Sequence, residues 1–478
     1  MNPIEYLAFR ARRNGADLAI VSQGRLLTFE ELENVVRGAA AKLRRQGVQD
    51  RQVVAVYHND AVTHWILVLA LFHLGAVSCS AHPNFDPMPS GLPVDVYITE
   101  RMTPFMSSRP VLLIEQTWLR NCVDLAGQAG VAAAGRGSDP CRVIASSGTT
   151  GEPKAIALSY DVIDKRLRHS LVMSPAPGPL LCMMTMGTFG GFTIAYRALA
   201  AGVPVFFAYT PSAVIRSLAA GGVTELTASP AQLAGLVRQR AGRTVRLPSL
   251  HSIVTGGAPI PAALLARARA TLCANVVGVY GSTEAGTSAR APAHMLERYP
   301  GCAGYIEPSV EVQIVDEAHQ PVAPGQEGVV RVRSGSVAAE FMGDPAGTAK
   351  AFRDGWFYPG DLGVFKTEGV LVITGRETEV INIGGSKINP ALIDEFLASQ
   401  PGVVDAAAFG VAAQDGVEQV WAAVVVGSGV NQERLLRVCR EQFGNRGPAR
   451  IFQVAEIPRN AMGKIQRSEL RASCVTDA

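Results

Sequence analysis

The segment Ser146-Ser147-Gly148-Thr149-Thr150-Gly151-Glu152-Pro153-Lys154 packs hydroxyls, glycines and a cation into one short stretch. Glycine lets a backbone approach an anion closely, its neighbours supply N–H and hydroxyl donors, and a lysine adds positive charge. Together these describe a phosphate cradle. Apparent strands over residues 142–145 and 155–158 flank the stretch, so it joins two strands and does not open a helix. A Walker A loop needs Gly-Lys-Ser/Thr at a helix start, whereas here Gly151-Glu152-Pro153 precedes Lys154. Taken alone, the pattern also fits a polar surface hairpin.

The chain that must position this loop has 478 residues, 48% hydrophobic and 18% charged, enough to bury a large core and to form at least two domains. The 44 Lys and Arg against 41 Asp and Glu leave a net charge of +3, too even for a nucleic-acid-binding surface. The 8 cysteines show no Cys-x-x-Cys spacing, which speaks against a disulfide framework or structural zinc and for a reducing cytoplasm. Arg10, Arg12 and Arg13 are followed by no apolar stretch, so no secretory signal is expected. The uncharged stretch 179–196 is interrupted by Gly187, Gly190 and Gly191 and reads as buried core, not as a membrane span.

Short β-branched runs alternate with helical periodicity: strand 53–57 precedes helix 61–74, and strand 252–254 precedes a helix opened by Pro261. The expected fold is α/β, with a large N-terminal domain of layered, mainly parallel sheets covered by helices, and a small α+β C-terminal domain. From residue 371 the order changes. Strands are expected at 371–373 and 380–383, then a helix with Asn389 as N-cap and Pro390 in its first turn. Strands at 403–409 and 420–426, a helix from Asn431 and a last strand at 451–454 follow. A boundary at Gly375-Arg376 divides the chain into residues 1–375 and 376–478, and so short a joint permits rotation.

The hydroxyl-rich loop resembles the phosphate loop of the adenylate-forming superfamily, which contains acyl- and aryl-CoA synthetases, peptide-synthetase adenylation domains and firefly luciferase. Further segments follow in that family's order. Gly256-Gly257-Ala258-Pro259 resembles its adenine-side loop, Tyr280-Gly281-Ser282-Thr283-Glu284 its Tyr-Gly-x-Thr-Glu motif, and Tyr358-Pro359-Gly360-Asp361 its ribose segment. Gly375-Arg376 onward to Pro390, and Pro458-Arg459-Asn460-Ala461-Met462-Gly463-Lys464-Ile465, complete the set. The likeness spans residues 146–465; the first 140 residues share only its general character.

The resemblance implies an acid–thiol ligase: a carboxylate attacks the α-phosphorus of ATP, pyrophosphate leaves, and the acyl group passes to a thiol, above all coenzyme A. Ser146, Ser147, Gly148, Thr149, Thr150, Gly151 and Lys154 would then bind the phosphates. Gly257, Ala258, Pro259, Tyr280, Gly281, Ser282 and Thr283 would surround the nucleoside, and Asp361 with Arg376 the ribose. Glu284 and Thr149 would hold Mg²⁺, a hard cation suited to carboxylate and phosphate oxygens. Lys464 would be the mobile catalytic lysine that brings its ammonium to the charge building on the phosphate. With it, Glu284 and Thr149 make up the implied catalytic set. Gly384, Gly385 and Lys387 resemble the loop that lines the thiol tunnel after the small domain rotates. Thr378 stands at the hinge position, where relatives commonly carry Asp or Lys.

The acid pocket implied by the same likeness is lined by Met186, Gly187, Phe189, Gly190, Gly257, Gly278 and Gly281. Amino-acid adenylators carry an aspartate in the first of these segments to pair with the substrate ammonium. None occurs between Met173 and Tyr209, and an unpaired buried ammonium is costly. An apolar or aromatic carboxylic acid is therefore expected. Met183, Met184 and Met186 either form an adaptable wall or fill the core. A carrier protein's phosphopantetheine presents the same thiol arm as coenzyme A. Arg446, Arg450, Lys387 and Arg459 either form a basic patch for the 3′-phosphate of coenzyme A or are solvated charges. Two other readings stay open: an enzyme that stops at the adenylate or loads a carrier protein or another nucleophile, and a degenerate nucleotide-binding scaffold. Retention of Glu284, Asp361 and Lys464 speaks against the scaffold.

Overall fold

A computed structural model describes residues 2–80, 88–89, 91–115, 117–133, 135, 137–146, 154–174, 177–240, 247–366, 369–383, 386–412, 418–427, 429–460 and 463–476. A seven-stranded sheet is built around the parallel strands Val53–Tyr57 and Val77–Ser80, and a fifteen-stranded sheet runs from Phe352–Arg353 to Arg25–Thr28. The expected parallel character holds through most of the first sheet and through the half of the second that contains Leu18–Ser22 and Val276–Ser282. Beyond Gly286 the larger sheet turns antiparallel as far as Leu371–Arg376. Hairpin connections replace helical crossovers there, and only antiparallel strands can be joined that closely.

The helix Ala61–Leu74 shows why two sheets are needed. Every one of its residues is buried, so it has no polar face to give to water. Asp60 caps its start by accepting from Thr63 N at 2.8 Å, and Gly75, at φ +75°, ends it in the left-handed region. Trp65 and Phe72 from this helix meet Phe192 of the helix Phe189–Ala201, with ring centroids 5.9 and 6.2 Å apart. Residues 179–196, read from sequence as core, are the strand Leu180–Cys182 and the start of that second helix. Among the described residues no helix is long and apolar enough to cross a membrane.

The elements after Arg376 form their own core. Ile381 and Ile388 of a short hairpin pack with Ile393 and Leu397 of the helix Pro390–Ala398, and with Ala406, Val420 and Leu435. Asn389 caps that helix as expected, accepting from Ala391 N at 3.0 Å. Its amide also donates to the carbonyl of Thr374, which latches the small lobe to the last strand of the large sheet. The strand Ser386–Ile388 and the terminal helix Arg467–Thr476 are additions to the expected order. Both are short, and the helix starts on charged residues with no apolar run to announce it.

Candidate active site

Val276–Ser282 and Gly286–Pro292 form a hairpin, and its strand carries Tyr280 toward the sheet's antiparallel half. Asp361 opens the strand Asp361–Phe365 and pairs in register with Arg376, the last residue of Leu371–Arg376. At this corner the Tyr280 hydroxyl donates to Asp361 Oδ2 at 2.6 Å, and Arg376 Nε lies 2.9 Å from Oδ1. Arg376 also donates from Nη1 to the carbonyl of Pro359 at 2.6 Å, so its ion pair is internal to the large lobe and does not bridge the two lobes. Asp361 is only 6% exposed. Burial raises its pKa, opposed by Arg376, the Tyr280 hydroxyl and Lys464. Tyr280 is pushed well above its usual value by burial and by the adjacent Asp361 charge, so it stays a neutral donor.

Lys464 reaches the same corner from the small lobe. A tight turn presents it: Gly463 lies at φ +84°, Gly463 N donates to Asn460 O at 2.8 Å, and Lys464 N donates to Asn460 Oδ1 at 3.0 Å. Arg459 braces the turn, giving one N–H to Gly463 O at 2.9 Å and another to Asp405 at 2.8 Å. A Cβ at Gly463 would lie 3.1 Å from Ala231 Cβ, on the helix Pro230–Gln239 of the large lobe, which shows how closely the turn approaches. The Lys464 side chain keeps access to solvent within a crowded cleft. Desolvation by the surrounding protein lowers its pKa first and the Arg376 charge second, while Asp361, Glu284 and Glu379 oppose them. Lys464, Arg376, Asp361 and Glu284 thus share one electrostatic environment.

Glu284 sits in the turn that closes the Tyr280 hairpin and is 9% exposed, not the solvated side chain that a loop glutamate usually is. Its carboxylate makes no hydrogen bond or ion pair among the described residues. An acidic oxygen donor so held, close enough to sense Lys464, fits a hard divalent cation. Among the described residues no group of three or more His, Cys, Asp or Glu is placed to hold a metal by protein ligands alone.

The other expected site residues divide. Ser147, Gly148, Thr149, Thr150, Gly151, Gly384 and Gly385 lie outside the described residues, as do the side chains of Ser146 and Lys387. The flanking strands Pro140–Ser146 and Lys154–Ser159 pair antiparallel, so the segment between them joins two strands, as the sequence indicates. Lys154 is engaged: its Nζ is 3.6 Å from Asp344 and 4.3 Å over the Phe341 ring. Gly257 is at φ +89°, in the bend after the strand Ser252–Gly256 that also carries Ala258 and Pro259. Gly281 backs onto the carbonyl of Gly286, Gly278 onto Leu296, and Gly190 onto the Met184 sulfur. Gly187 and Phe189 are half-buried at the mouth of the helix Phe189–Ala201. Met183, Met184 and Met186 are all buried. Of the expected basic patch, Arg459 is committed to Asp405, and Arg450 lies 5.0 Å over the Trp421 ring.

Buried arginines are what sequence reasoning missed. Arg142, fully buried between apolar neighbours of the strand before the phosphate loop, donates to Ser80 Oγ at 2.9 Å and to Met186 O at 2.7 Å. It also lies 4.3 Å over the Phe192 ring. Arg166 occupies the apolar face of the helix Tyr160–Met173 beside Ile163 and Leu167. The signal available in each case was a charge at a position where the periodicity demanded an apolar residue.

Two unequal lobes, with a lysine of the smaller delivered to a buried Tyr–Asp–Arg corner and a carboxylate of the larger, define an adenylate-forming enzyme. The AMP-binding enzyme family model matches residues 7–88 and 103–342, and the model of the AMP-binding enzyme C-terminal domain matches residues 392–464. The chain belongs to the AMP-binding enzyme family. It is 29% identical to a 4-chlorobenzoate–CoA ligase of Arthrobacter sp, over 98% of this chain and 94% of the relative. To a feruloyl-CoA synthase of Amycolatopsis sp it is 28% identical over 97% of each. In fold it is similar to o-succinylbenzoate CoA synthetase from Bacillus subtilis in complex with its acyl-adenylate intermediate. That likeness has a TM-score of 0.87 at 23% identity, over 98% of this chain and 97% of the other.

Proposed function

We propose that this enzyme uses ATP to convert an aromatic or apolar carboxylic acid to its acyl-adenylate, with release of pyrophosphate, and then transfers the acyl group to coenzyme A. The observation that supports the reading most is the buried Tyr280–Asp361–Arg376 corner together with the close approach of the Gly463-Lys464 turn to the helix Pro230–Gln239 of the large lobe. The similar proteins named above act on aromatic acids, which supports an aromatic substrate, and the stretch from Met173 to Tyr209 supplies no carboxylate for an amino acid's ammonium.

In this reading Asp361 accepts from the ribose hydroxyls while Tyr280 and Arg376 fix its orientation. An oxygen of the substrate carboxylate attacks the α-phosphorus, and the bond from that phosphorus to the leaving pyrophosphate breaks. The Lys464 ammonium sits against the charge that gathers on the non-bridging oxygens, where a positioned cation acts without reorganisation. Glu284 would hold Mg²⁺, which when bound neutralises phosphate charge. Serine and threonine hydroxyls of the 146–151 loop, Lys154 and the bend at Gly257-Ala258-Pro259 complete the nucleotide site. Phe189, Gly190, Gly278 and Gly281 border the acid.

The expected division into residues 1–375 and 376–478 goes with this chemistry, with the joint one residue later, since Arg376 still pairs with Asp361 in the large sheet. Arg376 ends the large sheet, the next described strands belong to the small lobe's core, and the exposed turn Glu377–Glu379 with Thr378 is the pivot. Rotation there withdraws Lys464 and brings residues 384–387 to the thiol. All 8 cysteines are free, which supports the reducing cytoplasm as its place of work.

The test is to mix the enzyme with ATP, Mg²⁺, coenzyme A and a panel of benzoic, cinnamic, aliphatic and amino acids, and to follow pyrophosphate and product mass. Pyrophosphate with acyl-CoA from an aryl acid is the expected result. Pyrophosphate without acyl-CoA transfers the reading to a carrier protein or another nucleophile. Bound ATP with no acid-stimulated exchange overturns it in favour of a scaffold.

A further inference from the structure

Arg166 is a buried guanidinium that forms no ion pair with a carboxylate among the described residues. It projects from the helix that follows the phosphate-loop hairpin and is 8% exposed. Its Nε donates to Ser336 O at 3.0 Å, Nη1 to Thr283 O at 2.9 Å, and Nη2 to Glu284 O at 2.7 Å and to Ser336 O at 2.8 Å. Its other face lies 4.9 Å from the centroid of the Phe189 ring. A Cβ at Gly286 would come within 3.2 Å of Nε, so a side chain at the foot of the Glu284 turn would press directly on the guanidinium.

Packing does not require an arginine here. Burying a guanidinium is expensive, and leucine or methionine would fill the volume beside Ile163 and Leu167 without that cost. What arginine alone supplies is a planar fork of donors with an apolar face. The fork meets the carbonyls of Thr283, Glu284 and Ser336, while the face meets an aromatic ring. Burial lowers the Arg166 pKa to about 9, opposed by the Glu284 charge, so the side chain is still cationic at neutral pH. With so much of its donor capacity committed to backbone carbonyls, Arg166 holds the site and does not bind substrate.

We propose that Arg166 is a positioning residue that fixes the Glu284 turn and the Phe189 ring together, so that metal-dependent use of ATP and selection among acids are coupled through one guanidinium. This rests on the reading of Glu284 and Phe189 given above. Thr283 and Glu284 lie on one side of the fork and Phe189 on the other, and a shift of the guanidinium moves both.

The test uses the full enzyme, with Arg166→Lys and Arg166→Met, and Glu284→Gln and Phe189→Leu as references. Acid-dependent ATP–pyrophosphate exchange is titrated with Mg²⁺, and kcat/KM is compared for two aryl acids differing in ring substituent. Thermal unfolding reports the folded fraction. Glu284→Gln is expected to move the Mg²⁺ requirement alone, and Phe189→Leu the acid ratio alone. Arg166→Met should move both, with the Mg²⁺ requirement raised about tenfold, as for groups that orient metal ligands. Arg166→Lys keeps the charge but loses the fork and should move both by less. If the Arg166 variants only melt earlier, while their folded fraction keeps the parental Mg²⁺ requirement and acid ratio, the side chain is structural and the proposal falls. If Glu284→Gln and Phe189→Leu are themselves silent, the reading of the site falls and takes this proposal with it.

Discussion

Replacing Tyr280 by phenylalanine deletes one oxygen at the Asp361 corner and leaves the ring in place. The deleted hydroxyl gives Asp361 a 2.6 Å bond, and Asp361 is 6% exposed, so water does not replace the lost donor freely. A bond from a neutral donor to a buried carboxylate is worth about 1.5–3 kcal/mol. Arg376 still holds the other oxygen at 2.9 Å, so the carboxylate is not left wholly unpaired and the lower part of that range applies. A loss of about 2 kcal/mol corresponds to roughly 30-fold in an equilibrium. The expected outcome for Tyr280→Phe is a 10- to 30-fold drop (order of magnitude) in kcat/KM for ATP. The acid dependence should be nearly unchanged. The same hydroxyl opposes the burial that raises the Asp361 pKa, so removing it raises that pKa further, and the acid limb of kcat/KM for ATP moves to higher pH. ATP–pyrophosphate exchange across pH measures both effects. A variant with kcat/KM for ATP within about twofold of the parent and an unmoved acid limb refutes the view that Tyr280 orients the ribose carboxylate.

Three further outcomes follow from contacts in the cleft and at the joint. Lys464 must be protonated to offset phosphate charge, and its pKa lies below the ordinary lysine value of 10.5, so adenylation is lost as pH rises through that lowered value. Lys464→Arg, if active, moves the alkaline limb of the pH profile upward. Gly375→Ala places a methyl on the amide of Asn389, which latches the small lobe to Thr374, and should cost about 1–3 kcal/mol in thermal unfolding, with slower turnover. Arg467 holds Asp394 at 2.6 Å and Glu379, in the turn after Arg376, at 2.8 Å, with the side chains of Arg467 and Asp394 only 15% and 14% exposed. Arg467→Met should destabilise the small lobe by about 3–5 kcal/mol, seen as early hydrogen exchange in residues 390–412.

The corner of Tyr280, Asp361, Arg376 and Lys464 was legible because these residues come in short contiguous motifs with unusual composition. Asp361 after Pro359-Gly360, and Lys464 after Gly463, are turn residues whose chemistry is set locally, and the structure gathers them at one corner. The capped helices 61–74 and 390–398 were legible for the same reason: Asp60 and Asn389 announce themselves. The antiparallel half of the large sheet was not, since strands such as Val310–Val315 and Gly328–Ser334 carry the same β-branched character in either orientation. Nor were the arginines. Arg142 and Arg166 donate to backbone carbonyls distant in sequence, and their one local mark, a charge where the periodicity calls for an apolar residue, does not name those partners. Lys154 shows the converse, since its counter-charge Asp344 comes from a segment that pairs with its strand only in the folded sheet.

The most direct measurement is the single-turnover rate of pyrophosphate release in Lys464→Ala, beside the affinity of the same variant for ATP. Removing a positioned charge from a developing oxyanion typically costs roughly 10²–10³-fold in rate. A slowing of that size, with ATP affinity held within a few fold, is the result predicted for an ammonium that acts at the α-phosphate. Parental release from the variant would contradict it, whatever the fold resembles.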